Sequence, residues 1–200
     1  MNYFNVKLLK NFMKLFLKIL IIFIFSVQAF ASSEQIGVIG FVIGDVYNQK
    51  GEKLNVGDSI YFGDTISAND GAKSQLLFID QTVMTIGSET KLTIDEFIYD
   101  PQTKVGKIVS NIKIGTIRII TGEISKEDPD NLEVNVPTGS IGARGTEFVV
   151  VTTADQKSTI VLLGPGKNNS LGMVPGVLNV TDGTNTVNIA TPGFQSVVFK

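Results

Sequence analysis

Val136-Pro137-Thr138-Gly139-Ser140-Ile141-Gly142-Ala143-Arg144-Gly145-Thr146-Glu147-Phe148 places three glycines at three-residue spacing beside one of only two arginines in the 200-residue chain, the other being Arg118. Glycines so spaced suit a backbone that turns sharply or passes close to another strand, where a side chain would obstruct. Arginine adds a planar, permanently charged fork able to bind several carbonyls or a carboxylate at once. We therefore read Arg144 as a clamp on a Gly-rich turn, with contact to a partner as the alternative role. The run Thr146–Thr153 that follows reads as a strand, so the segment is a junction that delivers the chain into a sheet.

Outward from this junction there is almost no helical period. Short β-branched and aromatic runs are bounded instead by Gly, Asn, Asp and Pro. Upstream the candidate strands are Ile36–Val46, Ser59–Phe62, Thr65–Ala68, Ser74–Ile79, Thr82–Ile86, Lys91–Tyr99, Lys107–Ile112 and Thr116–Thr121. Downstream they are Leu132–Val136, Thr146–Thr153, Ser158–Leu163, Gly176–Val180, Asn185–Ala190 and Ser196–Phe199. This pattern predicts an all-β single domain of many short strands, wound as a solenoid-like roll or a two-sheet β-sandwich. Leu76, Phe78, Val83, Ile86, Leu92, Ile94, Phe148, Val150, Ile160 and Leu162 are expected in its core.

Several turns are legible. Asp80-Gln81 and Asp182-Gly183 each join two apolar runs as tight hairpins. Val56-Gly57-Asp58-Ser59-Ile60 is echoed six residues later by Phe62-Gly63-Asp64-Thr65-Ile66. The echo fits either solenoid rungs or two turns flanking one short strand. In both cases each Gly-Asp turns the chain while its carboxylate accepts backbone N–H bonds. Ser125–Asn131 reads as a solvated loop, and Gly164–Ser170 as a second flexible stretch.

The N-terminus carries Lys7, Lys10, Lys14 and Lys18, then the apolar run Ile19–Val27, then Ala29-Phe30-Ala31. A basic region, a short apolar region and a small-x-small site read as a secretory signal peptide over residues 1–31, helical before cleavage. Lys18 leaves the apolar run short of the roughly 20 residues that an uncleaved anchor needs. Membrane contact is accordingly expected only through this segment before cleavage, and the protein is expected in the periplasm or secreted. The β domain is expected over 36–200.

Removing residues 1–31 takes four lysines and no acid, so net charge goes from −2 to −6. Such a surface has no electrostatic footprint for nucleic acid. With no cysteine in the chain, an exported protein has neither disulfides nor a lipid-modified cysteine, which suits a bacterial envelope.

Histidine is also absent. That excludes His-based and Cys-based nucleophilic triads and zinc, haem or iron–sulfur sites using those ligands. Asp95-Glu96 are neighbours on a strand and face opposite sides. Glu127-Asp128-Pro129-Asp130 lacks the spacing of an ordered calcium loop. Gly139–Thr146 lacks a Lys-Ser/Thr ending and precedes a strand, so it is no phosphate loop. No catalytic residue, cofactor or metal is expected, and the chain is read as a non-enzyme.

Pro137, Gly142, Arg144-Gly145-Thr146 and Phe148, preceded by Gly57-Asp58 and Gly63-Asp64, resemble the motifs of the FecR-type domain, an extracytoplasmic module. The resemblance covers about residues 36–163. Proteins with this domain relay signals from an outer-membrane receptor to a sigma factor, through a cytoplasmic domain placed before a membrane helix. Here only 18 residues precede the apolar run, and the end at Val197–Lys200 leaves no room for a further domain, so that signalling role is not expected to transfer whole. The resemblance implies an exported module that binds an envelope protein or a glycan. The alternative is an accessory part of an envelope-to-sigma-factor system.

Overall fold

The computed structural model describes residues 12–16, 18, 34–126, 128–169, 172, 173 and 175–199. The segment read as a signal peptide lies almost wholly outside these; residues 12–16 and 18 are helical. Among the described residues no helix is long and apolar enough to cross a membrane.

Residues Glu34–Lys200 form a compact unit of their own. In chain order its strands are β1 (Gln35–Ile43), β2 (Val46–Tyr47), β3 (Ser59–Tyr61), β4 (Thr65–Ala68), β5 (Lys73–Phe78), β6 (Val83–Ile86), β7 (Lys91–Tyr99) and β8 (Gly106–Ile120). These are followed by β9 (Leu132–Val136), β10 (Gly139–Arg144), β11 (Glu147–Thr152), β12 (Ser158–Gly164), β13 (Val177–Thr181), β14 (Thr186–Ile189) and β15 (Gln195–Val198).

Hydrogen bonding orders them into two leaves. The front leaf runs β3-β1-β5-β6-β8-β11-β12-β15, and the back leaf β2-β4-β7-β8-β9-β10-β13-β14. β8 belongs to both: residues 106–114 pair with β7 and residues 115–120 with β11. Every pairing is antiparallel except β8 with β9. Apart from β3, position within each leaf follows position in the sequence, so the chain advances along the sandwich while crossing repeatedly between its leaves. A two-leaf sandwich is therefore the form the all-β domain takes.

One face of each leaf is buried because the strands alternate, inward residue against outward residue. Leu76, Met84, Ile119 and Phe148 point inward from the front leaf, and Leu92, Ile112, Val134 and Ile141 from the back, all in one apolar cluster. The Phe78 and Phe97 rings, one from each leaf, stack at 5.6 Å. Of the expected core residues only Val83 departs, being half-exposed while Met84 is buried. Val83 and Ile86 are an odd number of residues apart and cannot share a strand face.

Other boundaries also need correction. The run Ile36–Val46 breaks at Gly44 (φ 74) into β1 and β2. Lys107–Ile112 and Thr116–Thr121 are parts of one long strand. Ser125–Asn131 is not simply a solvated loop: Ser125 is buried, and Pro129–Asn131 form a 3-10 turn capped by Asp128. Glu127 lies outside the described residues.

The echoed Gly-Asp pairs are two turns flanking β3. Gly57 and Gly63 both have positive φ, 91° and 83°. Asp58 Oδ2 accepts from Asn55 N at 2.7 Å and Asp64 Oδ2 from Tyr61 N at 2.8 Å, the same bond three residues back. Asp182 likewise accepts from Thr184 N and Asn185 N in the β13–β14 turn.

Candidate functional site

The Gly-rich segment is a strand rather than a turn. Pro137-Thr138 make the tight turn from β9, and Gly139–Arg144 then pair with β9 on one side and β13 on the other. A side chain on Gly139 would run into the Thr181 carbonyl, so close approach explains that glycine. Gly145 explains itself differently. It has φ 55 and bends the chain out of the back leaf into β11 of the front leaf. The junction read from the sequence is this crossing.

Thr146 fixes the crossing from three sides. Its N–H donates to Thr121 Oγ1 at 2.8 Å, its carbonyl accepts from Thr121 N at 3.0 Å, and its hydroxyl donates to Gly164 O at 2.7 Å. Threonine is 3% exposed here, so each bond replaces one that water would otherwise make. Phe148, wholly buried, anchors the next turn of chain in the core.

Arg144 is half-buried opposite Val177, and its buried Nε has no hydrogen-bond partner among the described residues. The expected clamp is therefore not seen among the described residues. Arg118 is the arginine with a carboxylate: its Nε and Nη2 lie 2.8 and 2.7 Å from Glu147 Oε1. The sequence could not distinguish the two, because pairing depends on β8 and β11 being neighbours.

Beside the crossing lies an open groove of about 800 Å³ lined by Ile120, Thr121, Lys126, Gly145, Thr146, Glu147, Gly164, Pro165, Gly172 and Met173. The Gly164–Pro165 peptide is cis. Asn169 shapes the rim, its amide donating to Gly166 O and Met173 O and accepting from Met173 N. This holds the stretch read as flexible in a defined loop; Ser170 is outside the described residues. Lys126 pairs with Glu123, and hydrogen bonds from Lys126 and Lys104 hold the Glu123 carboxyl below its ordinary range. The groove's lining thus combines Ile120, Pro165 and Met173 with three glycines, two threonines, one cation and one anion.

The Gly57-Asp58 and Gly63-Asp64 turns do not join this groove; Asp58 and Asp64 line a separate polar hollow with Asn48, Lys53 and Tyr61. Sequence reading missed a further cluster. Asp80 and Thr82 are fully buried: Asp80 accepts from Thr82 N at 3.0 Å and Thr82 Oγ1 at 2.7 Å, while Thr82 Oγ1 accepts from Gly122 N. Burial pushes the Asp80 carboxyl above its ordinary range, against the hydrogen bonds from Thr82. The Asp-x-Thr spacing was its local signal, while its tie to Gly122 was invisible. Among the described residues no group of three or more Asp and Glu side chains could hold a metal ion.

A family model described as FecR protein matches residues 64–165. Two crystal structures of a proposed anti-sigma factor from Parabacteroides distasonis ATCC 8503 are similar to this chain at 15% and 16% identity, each with a TM-score of 0.49. Each comparison covers 68% of this chain and 54% of the other, so the chain spans about half the length of those structures. No curated protein matches.

Proposed function

This chain belongs to the FecR family, and from that premise we propose that it is an exported, non-catalytic binding module of a bacterial envelope, taking an extended apolar segment of an envelope protein into the groove beside Gly145-Thr146. The observation that carries the reading is the groove's position. It is formed on the motif crossing itself, and all its lining except Gly172 and Met173 lies within the matched residues. Ile120, Pro165 and Met173 offer apolar contact, and three glycines leave backbone accessible, which suits a peptide better than a hydroxyl-rich glycan.

Export is supported by the lysines, short apolar run and Ala29-Phe30-Ala31 at the N-terminus. Mass spectrometry of the native N-terminus should find Ser32; an intact segment 1–31 would mean retention as an anchor. For binding, a photo-crosslinking residue in place of Met173 should yield a discrete protein adduct in cells, and one in place of Asn188 on the back leaf should not. Equal labelling from both positions, or none from 173, would remove the groove from consideration. An adduct with a sigma-regulating envelope protein would select the accessory signalling role.

A further inference from the structure

The outward face of the front leaf is more apolar than a solvated sheet requires. Val38, Leu77, Val83 and Ile120 lie in one register row across β1, β5, β6 and β8, and Val149 faces Val161 in the next. All project from the side opposite the core and remain at least partly accessible. A sheet with one wet face ordinarily carries polar residues there. We propose that this face is a self-association surface, on which two copies of the chain pack front leaf to front leaf about a two-fold axis.

Three features favour a second copy over other occupants. An isologous interface must be self-complementary. The central charges of this face already form the Arg118–Glu147 pair, which uses only Glu147 Oε1 and leaves Oε2 able to accept from the other copy's guanidinium. Phe41, exposed at the rim of a shallow hollow over Thr85 and Arg118, is a projecting group that the same hollow on the other copy can receive. The extent is also sufficient. Seven of the leaf's eight strands, β1 to β15, about 4.8 Å apart and three outward residues deep cover roughly 30 by 20 Å, so a pair buries on the order of 1,200 Å², the lower end for specific interfaces. A lipid surface fits less well, because among the described residues Lys73 is the sole cation on the strands of this face outside the Arg118 pair, and the chain beyond residue 31 carries a net −6.

The absence of native cysteine makes the test clean. Val149→Cys, near the centre of the face, should give a disulfide-linked dimer of the full chain in oxidised cells, and Asn135→Cys on the back leaf should stay monomeric. Separately, Val161→Asp should convert the native protein from a concentration-dependent dimer to a folded monomer in sedimentation velocity, and its melting temperature should no longer rise with protein concentration. If Val161→Asp fails to fold, the cysteine comparison decides alone. The proposal is overturned by a wild-type protein that is monomeric at every concentration, by equal cross-linking from both cysteines, or by a folded Val161→Asp dimer. It is equally overturned if Val149→Cys links only to a different protein, or if the face binds phosphatidylcholine or phosphatidylglycerol vesicles as a monomer.

Discussion

The two leaves share a core but present opposite outer faces. Across the back leaf one register row reads Thr65, Thr93, Asn111, Asn135, Ser140, Thr181 and Thr186, uncharged and polar from β4 to β14. Thr65 and Thr93 hydroxyls bond at 2.9 Å, and Asn188 donates to Asn179 at 2.9 Å in the neighbouring row. In the front leaf one outward row reads Val38, Leu77, Val83 and Ile120, and the next mixes Phe41, Val149 and Val161 with Gln75, Thr85, Arg118 and Gln195, so large apolar side chains fill about half of that face. Inward alternation is equally regular in both, so it specifies the sandwich; the outward residues are free of that demand and differ by what each face meets. A wet face satisfies its polar groups laterally and with water, whereas an apolar face gains from being covered.

The comparison breaks first if the leaves do not share one core. Phe148 projects from the front leaf and is wholly buried. Phe148→Ala should cost about 3–5 kcal/mol. Amides of β13 in the back leaf should lose hydrogen-exchange protection together with those of β11, and a β13 left protected would show two separately stable halves. Next in size are two glycines, Gly122 packed on the front leaf's β5–β6 turn and Gly139 in β10 of the back leaf. A Cβ on Gly122 would strike the Asp80 carbonyl and Thr82 backbone, and one on Gly139 the Thr181 carbonyl. Each Gly→Ala change should lower stability by about 1–3 kcal/mol in urea titrations, through forced backbone movement. A neutral result at either position would mean that the neighbouring strand yields.

How much of this could be read from the residues follows from range. The Gly-Asp turns and the Asp182-Gly183 hairpin were legible because bonds spanning two or three residues define them. Strand positions were legible from alternation, and the FecR resemblance from Arg144-Gly145-Thr146 in its context. What failed depended on distant partners. The glycines of β10 left a sharp turn and a close approach to another strand open, and only the pairing with β13 decides for close approach at Gly139; Arg144 was taken for a clamp because nothing local shows that Arg118 lies beside Glu147. The groove is beyond sequence altogether, since Ile120, Thr146 and Met173 meet only once the chain crosses between leaves.

The exposed ion pair on the front face should contribute less than either glycine. Arg118 and Glu147 side chains are 43% and 32% exposed. Solvent-screened pairs of this kind are worth about 0.2–1 kcal/mol. A double-mutant cycle with Arg118→Met and Glu147→Gln, run with dilute protein so that association does not enter, should return a coupling in that range and decreasing with salt. A coupling of several kcal/mol in the monomer would show that the front face is dry without a partner, and the contrast with the back leaf would need another cause.

The smallest effect is a slope with pH, and its sign is informative. Asp80 is buried in the front leaf's β5–β6 turn, and burial raises its carboxyl above the ordinary 3.8. A native carboxyl that holds its proton more tightly than the unfolded chain gives stability that is fully present below the ordinary value. That stability is lost as pH rises from about 3.8 through the raised value. Asp100, Glu123, Asp155 and Asp182 are shifted downward by hydrogen bonds, so their contributions run the other way and disappear as pH falls. The Asp80 effect is therefore read as a difference between proteins in which those four groups are unchanged. Asp80→Asn removes one titration and adds a pH-independent offset from the altered bond to Thr82 Oγ1. The stability of wild type minus that of Asp80→Asn should consequently fall as pH is raised from 4 toward neutrality, measured by urea midpoints at each pH. A difference that rises over the same range would mean that the Thr82 bonds outweigh burial and that Asp80 is held as a carboxylate.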